Sequence, residues 1–163
     1  MQNTKLSDSG ERTVFETGAV REILEDKGRC DLVYNIPFCV LTGDVIYSLI
    51  EIFIRNGNRG VLHEILKVFI DQNYDNVETA YLELAKHYAE GAKKYDDRNM
   101  EKGLPWHSMV DSAMRHYAKF KRGDKDEPHD RAFMWNIITL LYMMDYYPEL
   151  NDLPCAGKGG VND

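Results

Sequence analysis

Carboxylate, imidazole and ammonium groups recur on one flank of a predicted helix, about one turn apart. The flank consists of Glu83, His87, Glu90 and Lys94, at the spacing i, i+4, i+7 and i+11, which an α-helix places side by side. Two carboxylates and an imidazole on adjacent turns could hold a divalent cation. A solvated flank stabilised by pairs of opposite charge gives the same pattern, so the spacing leaves both interpretations open.

The loop after this flank concentrates positive charge between two predicted helices. It contains Lys93, Lys94, Arg98 and Lys102, with Asn99 among them. Such cations can meet phosphate oxygens through charge-assisted hydrogen bonds. They can equally stabilise the end of the preceding helix, whose partial negative charge attracts cations.

Polar groups that suit a ligand also fall on the two helices that follow. Asp111, Arg115 and Lys119 occupy one side of the first at i, i+4 and i+8, and His116 lies on its apolar side. His129 shares a face of the next, mostly apolar helix with Asn136 seven residues later. A buried asparagine without partners costs about 1–3 kcal/mol. Asn136 therefore requires either a core network or a ligand, and the two histidines present the same alternative.

Familiar phosphate-binding and metal-hydrolase motifs are absent or poorly placed in the sequence. It contains neither GxxxxGK[ST] nor GxGxxG, the common phosphate-cradling loops. The pair His129-Asp130, with His116 and Asp145, suggests an HD-type metallophosphohydrolase. On a helix, however, Asp130 points about 100° away from His129, which argues against that interpretation.

The elements that must position these residues are predicted to be helices. Two apolar runs, 44–55 and 61–72, flank the turn sequence NGNRG and predict a helical hairpin, with strands as the alternative because β-branched residues are frequent. Three longer helices are expected at about 76–95, 106–121 and from 128 to before Pro148. The first of them should pack through a face that contains Val77, Tyr81, Leu84, Tyr88, Gly91, Ala92 and Tyr95. The expected fold is all-α, a compact bundle of about five helices after an N-terminal loop segment, in which 15–32 forms loops and one or two helical turns.

Length and composition favour a single domain over 1–163, with flexible ends at 1–12 and 155–163. The formal charge of −7 argues against binding to a nucleic-acid polymer, since that needs cations. No apolar run approaches the roughly 18 residues of a membrane span, so we expect a cytoplasmic protein without a membrane partner. Cys30, Cys39 and Cys155 are widely separated, as expected of reduced thiols rather than a disulfide framework.

Several segments resemble one family of phage and prophage proteins. They are FETGAVRE, HYAEGAKKYDDRN, DSAMRH and DEPHDRAFMWN, in this order between Phe15 and Pro154. The family they resemble is the dATP/dGTP diphosphohydrolase N-terminal domain family, and the resemblance implies kinship with MazG-like all-α nucleotide pyrophosphatases. Compared with shorter members, 43–73 looks like an inserted helical hairpin.

The resemblance implies chemistry with Mg²⁺ or Mn²⁺, which MazG-like enzymes bind through ExxE and ExxD carboxylates. Glu127-xx-Asp130 matches ExxD, while Glu83 and Glu90 form no ExxE pair. On this basis the expected metal ligands are Glu83, Glu90, Glu127 and Asp130. The expected catalytic residues are Glu90, Glu127 and Asp111. The expected nucleotide-binding residues are His87, Lys94, Tyr95, Arg98, Asn99, Arg115, His116, Lys119, His129 and Asn136.

Three functions remain open at the level of sequence. The first is metal-dependent hydrolysis of a purine deoxynucleoside triphosphate to monophosphate and pyrophosphate. The second is a phage sponge that needs no metal and sequesters a nucleotide-derived immune signal of the host. The third is a structural interaction protein whose polar residues form core networks. By resemblance to oligomeric hydrolases we expect a homo-oligomer, with a dimer as the working assumption.

Overall fold

The computed structural model describes residues 10, 12–22, 27–35 and 42–156, and it contains five α-helices in this part of the chain. They are α1 (Val45–Asn56), α2 (Arg59–Asn73), α3 (Val77–Tyr95), α4 (Trp106–Arg122) and α5 (His129–Tyr146). Two short strands precede them, β1 (Arg12–Val14) and β2 (Val20–Glu22), paired antiparallel. Short 3-10 helices occupy Cys30–Asn35, Asn99–Lys102 and Pro148–Leu150. The prediction of an all-α bundle is confirmed.

The apolar runs 44–55 and 61–72 form a helical hairpin, not strands. Asp44 begins α1, because its carboxylate accepts a hydrogen bond from the Ile46 backbone N–H. Gly57 ends α1 with φ 67°, a left-handed conformation that favours glycine. Asn58 then caps α2 by accepting from Gly60 N–H. The apolar period is helical, with buried side chains at Ile46, Ile50, Phe53 and Ile54.

The centre of the molecule is the contact between α4 and α5, the most extensive between described elements. The α5 helix is buried around most of its circumference. Aromatic rings connect this pair to the hairpin, since Phe133 of α5 lies 4.6 Å from Phe69 of α2 and 5.1 Å from Tyr117 of α4, measured between ring centroids. The aromatic core therefore positions α4 and α5 relative to the hairpin, and both helices carry predicted site residues.

The predicted packing face of α3 is wrong for part of its length. Val77 and Tyr81 are 62% and 67% exposed, and Tyr88 is 38% exposed. The buried residues of α3 are instead Ala80 and His87. The side of α3 that packs against α5 is rotated from the predicted side, and His87 therefore faces the protein interior.

The N-terminal segment is more ordered than predicted. Val20–Glu22 is a strand, so the helical turns predicted within 15–32 are wrong there, and Cys30–Asn35 is a 3-10 helix. Residues 23–26 lie outside the described part of the chain. Long-range bonds explain the difference: the Thr17 hydroxyl donates to the Gly103 carbonyl at 2.6 Å, a contact that local sequence does not encode. Most of the ends predicted to be flexible, 1–12 and 155–163, and Cys39 lie outside the described residues.

No described helix is long and apolar enough to cross a membrane. The single-domain prediction and the insertion of 43–73 stay predictions.

Candidate functional site

A cavity of about 980 Å³ opens between α3, α4, α5 and β2. Nine of the ten predicted nucleotide-binding residues line it: His87, Lys94, Tyr95, Arg98, Asn99, Arg115, His116, Lys119 and Asn136. The tenth, His129, is 2% exposed and lies beside His116, with the two Nδ1 atoms 3.0 Å apart. Three helices and a loop thus bring residues that are up to 49 positions apart to one hollow.

The cavity has a positive balance of charge. Seven cationic side chains line it against five carboxylates, whereas the whole chain carries −7. The cations are Arg21, Lys27, Lys94, Arg98, Arg115, Lys119 and Arg122. Such a local excess of positive charge favours the binding of small anions.

Arg21 of β2 is a site residue that sequence reasoning missed. Its guanidinium lies 5.7 Å from the ring centroid of Trp135 and donates to the Ser112 hydroxyl at 3.0 Å and to Asn136 Oδ1 at 3.3 Å. Burial lowers the pKa of Arg21 to about 10, so the group keeps its charge at neutral pH. Its position in the segment FETGAVRE was the available signal, because that segment contributes to the family resemblance.

The two asparagines of the predicted site hold protein groups in place. Asn99 forms two hydrogen bonds with the backbone of Val20, at 3.0 Å and 2.8 Å, and so fixes β2 against the loop after α3. Asn136 donates to the Ala132 carbonyl at 2.7 Å and accepts from Arg21. Both amides position Arg21, one through its strand and one directly.

Asp111, a predicted catalytic residue, does not line the cavity. It is 0% exposed, accepts from the Cys30 backbone N–H at 2.6 Å and pairs with Arg115. Arg115 in turn donates to the carbonyls of Lys27 and Gly28, at 3.3 Å and 3.1 Å. These contacts tie the segment before Cys30 to α4, which explains the burial of a carboxylate there.

The structure does not gather the four predicted metal ligands into one group. Glu83 and Glu90 face Arg131, at 4.0 Å and 3.3 Å, while Asp130 accepts from the Tyr74 hydroxyl at 2.7 Å. Of the four, only Glu127 lines the cavity. The HD-type interpretation also fails, because Asp130 points toward Tyr74 and Asp145 pairs with Arg59.

Two histidines and a carboxylate meet at the α4–α5 side of the cavity. Glu127 Oε1 lies 3.7 Å from His116 Nδ1 and 3.6 Å from His129 Nδ1. Burial lowers the pKa of His116 well below its ordinary value, and burial raises that of Glu127. On its other side, His129 Nε2 lies 2.8 Å from Asp126 Oδ1. Hydrogen bonds from Lys119 and His129 hold the pKa of Asp126 below its usual range, against the opposing effect of burial.

The outer cations of the cavity are paired with nearby carboxylates. Lys94 pairs with Glu22, Lys119 with Asp126 at 2.8 Å, and Arg98, 80% exposed, lies 3.8 Å from Glu101. An exposed pair such as that of Arg98 contributes only about 0–1 kcal/mol. Arg98 can therefore exchange its partner for a ligand anion at small cost.

Fold and site together define the class of protein: an all-α chain with a cationic cavity that aromatic rings line on one side. The model of the family described as dATP/dGTP diphosphohydrolase, N-terminal, matches residues 71–153, about half of the chain. The chain belongs to this family. Searches of curated proteins and of solved structures found no match. The matched range contains α3, α4 and α5 but not β2, so Arg21 lies outside it.

Proposed function

We propose that the cavity binds a purine deoxynucleoside triphosphate and that the chain hydrolyses it to the monophosphate and pyrophosphate. The observation that carries this proposal is the cationic cavity with aromatic rings on one side, lined by residues of the family-matched segment. Its volume of about 980 Å³ falls in the range of small-molecule sites.

The phosphates belong on the α4 side in this proposal. Arg115, Lys119 and Arg122 line the cavity from successive turns of that helix, and Lys27 joins them from the N-terminal segment. Guanidinium groups bind phosphate oxygens in pairs of charge-assisted hydrogen bonds. A triphosphate would thereby compensate the positive balance of this wall.

The base belongs on the α3–α5 side. Trp135 presents its ring there, with Tyr88 6.3 Å and His87 5.8 Å away between centroids. Stacking on such a ring favours the larger purine surface. His87 Nδ1 is buried and has no hydrogen-bond partner among the described residues, so a base edge that bonds to it would remove a penalty of about 1–3 kcal/mol.

Hydrolysis requires water to attack the α-phosphorus while the bond from that phosphorus to the bridging oxygen breaks and pyrophosphate leaves. Glu127 is the predicted catalytic carboxylate that lines the cavity, and we assign the acceptance of the proton from the attacking water to one of its two carboxylate oxygens. A bound Mg²⁺ or Mn²⁺ would neutralise phosphate charge in this reaction. Lys119 and Arg122 would hold the departing pyrophosphate.

A second candidate is capture without turnover, in which a phage protein sequesters a nucleotide-derived signal. The specific observation in its favour is that Glu83, Glu90, Asp130 and Asp111 do not line the cavity. Most predicted catalytic and metal-binding carboxylates are thus engaged elsewhere. Both proposals place the protein in the bacterial cytoplasm, where nucleotides are available. In both we expect a homo-oligomer, and light scattering measures that state.

Product analysis separates the candidates. The protein is incubated with dGTP or dATP and Mg²⁺ or Mn²⁺, with dCTP and dTTP as matched substrates, and the products are resolved by chromatography. Purine monophosphate and pyrophosphate in equal amounts, abolished in Glu127→Gln, would support hydrolysis. Nucleotide recovered intact but bound would support capture. Absence of both binding and turnover for every nucleotide would overturn the nucleotide proposal, and Lys67→Ala, on the exposed side of α2, is the control for unspecific charge effects.

A further inference from the structure

We propose that His116, Glu127 and His129 form a binding site for a divalent first-row transition-metal ion whose open positions face the cavity. No prediction from the sequence grouped these three residues. The site stands on its own geometry, and only the identity of the ligand that completes the coordination rests on the proposed function.

The three donor atoms have the spacing of metal ligands. His116 Nδ1, His129 Nδ1 and Glu127 Oε1 are separated by 3.0, 3.6 and 3.7 Å. A circle through three such points has a radius of about 2.0 Å, which matches metal–nitrogen and metal–oxygen bonds of about 2.0–2.2 Å. An ion can therefore contact all three atoms without movement of the backbone.

The ligand set selects the class of ion. Imidazole nitrogen suits zinc, iron, nickel and copper, whereas carboxylate oxygen also suits manganese and magnesium. Two imidazoles with one carboxylate therefore favour a transition-metal dication over Mg²⁺ or Ca²⁺. This set differs from the all-carboxylate ligands expected from the sequence.

The surroundings hold the ligands as metal sites require. His129 Nε2 faces Asp126 at 2.8 Å, and Lys119 fixes that carboxylate from the other side at 2.8 Å. Hydrogen bonding of the second ring nitrogen to a carboxylate fixes the orientation of a metal-bound histidine. The His129 side chain is 1% exposed, and those of His116 and Glu127 are 16% exposed. The site is thus enclosed on the α5 side and open on the cavity side.

A competing acidic group shares His129 but is less suited to an ion. It comprises Asp124, Asp126 and His129. Asp124 pairs with Arg122 and Asp126 with Lys119, so two cations already neutralise its carboxylates. It also uses the ring nitrogen opposite to the one that faces Glu127.

Open coordination positions on the cavity side would accept oxygen atoms. An ion with one carboxylate and two neutral imidazoles keeps a net positive charge, and Lys119 and Arg122 lie on the same wall. Phosphate oxygens of the proposed nucleotide fit such positions. The metal would then add to the cationic wall of α4.

Cobalt binding tests the site without nucleotide. The protein without a histidine tag is stripped with EDTA and titrated with Co²⁺ alone, followed by visible absorption and by calorimetry for stoichiometry. We expect one Co²⁺ per chain with ligand-field bands typical of nitrogen and oxygen donors. Glu127→Gln, which keeps the shape of the side chain, and His116→Gln each remove a ligand atom. Each should weaken Co²⁺ binding by more than the loss of a residue that only orients a ligand, which costs about 10- to 100-fold.

Three further variants make the result specific. Asp126→Asn should weaken Co²⁺ binding within that about 10- to 100-fold range, because Asp126 acts only through His129. His63→Gln, an exposed histidine of α2, and Glu90→Gln should leave Co²⁺ affinity unchanged. Circular dichroism of the metal-free variants checks folding.

Absence of Co²⁺ binding, binding unaffected by Glu127→Gln, or binding lost in Glu90→Gln would each overturn the proposed site. Titration of dGTP into the metal-free protein and into the Co²⁺-loaded protein separates this result from the proposed function. If dGTP binds and Co²⁺ does not, only the metal site is rejected. If Co²⁺ binds as expected and no nucleotide binds, the metal site stands and the nucleotide proposal falls.

Discussion

The hairpin of α1 and α2 differs from the cavity between α3, α4 and α5 in the polarity of its buried side chains. The buried side chains of the hairpin are apolar, such as Ile50, Leu62 and Phe69, and its polar groups serve as helix caps at the surface. The cavity region instead buries His129 beside His116 and half-buries Arg21 beside Trp135. Burial of polar groups costs free energy that apolar contacts elsewhere must offset. The hairpin thus supplies stability, while the cavity region keeps polar groups available to a ligand.

The largest effect should come from a cavity in the hairpin core. Phe69→Ala removes a 0% exposed ring that lies 4.6 Å from Phe133 and 5.4 Å from Phe120 between centroids. We expect a loss of about 3–5 kcal/mol in the free energy of unfolding, measured by urea denaturation. Ile52→Ala, on the exposed side of α1, is the matched control. A loss in Phe69→Ala as small as that in the control would contradict the assignment of the hairpin as core.

Acid should destabilise the cavity region through His87. Burial, with a further contribution from the Arg131 charge, lowers the pKa of His87 from 6.5 to about 4. Because the folded state binds the proton less tightly than the unfolded state, the stability contributed by neutral His87 is complete above about pH 6.5 and is lost as pH falls toward 4. The lowering of the His87 pKa from 6.5 to about 4 corresponds to a loss of about 3 kcal/mol in the free energy of unfolding once His87 is protonated.

Unfolding free energies of wild type and His87→Gln between pH 7 and pH 4 measure this effect. The variant should lose less stability over that window than wild type. Parallel pH profiles for the two proteins would show that His87 titrates normally.

Arg21→Met should affect ligand binding more than folding. The substitution keeps an unbranched side chain beside Trp135 but removes the charge, the cation–π contact and the bonds to Ser112 and Asn136. A hydrogen bond from a charged group contributes about 1.5–3 kcal/mol, so dGTP affinity should fall about 10- to 100-fold if this guanidinium contacts phosphate or base. Calorimetry measures the affinity, and the melting temperature checks the fold. Unchanged affinity in a folded variant would exclude Arg21 from the site.

The smallest effect should come from the surface ion pair that connects the hairpin to α5. Arg59 pairs with Asp145, and both side chains are almost half exposed. Such pairs contribute about 0.2–1 kcal/mol. A double-mutant cycle with Arg59→Ala and Asp145→Ala measures the coupling energy. A coupling well above 1 kcal/mol would mean that surface charge, and not the core alone, fixes the hairpin.

Most of the helical fold could be predicted from local sequence, because apolar periodicity, helix caps and turn residues act within a few positions of one another. The pattern around Phe53 and the caps at Asp44 and Asn58 are examples. What local sequence could not supply were contacts between distant segments. Arg21 contacts Asn136 across 115 positions, so no local sequence pattern could place it in the site.

The candidate site shows the same division. Periodicity predicted that α3, α4 and α5 turn polar residues toward a common hollow, and nine of the ten predicted nucleotide-binding residues line the cavity. It could not tell which carboxylates would be engaged by cations, and Arg131 and Arg115 engage Glu90 and Asp111. Nor could it show that His116 and His129, on different helices, meet at 3.0 Å.

Calorimetric titration of dGTP into wild type and Trp135→Leu tests most directly whether the cavity recognises a nucleotide. We predict saturable binding of one dGTP per chain, and affinity at least about tenfold lower in the variant because base stacking on an aromatic ring is lost. The control is Tyr146→Leu, an exposed aromatic at the end of α5, which should bind like wild type. No detectable binding to wild type, or equal affinity in Trp135→Leu and wild type, would contradict the proposed nucleotide site.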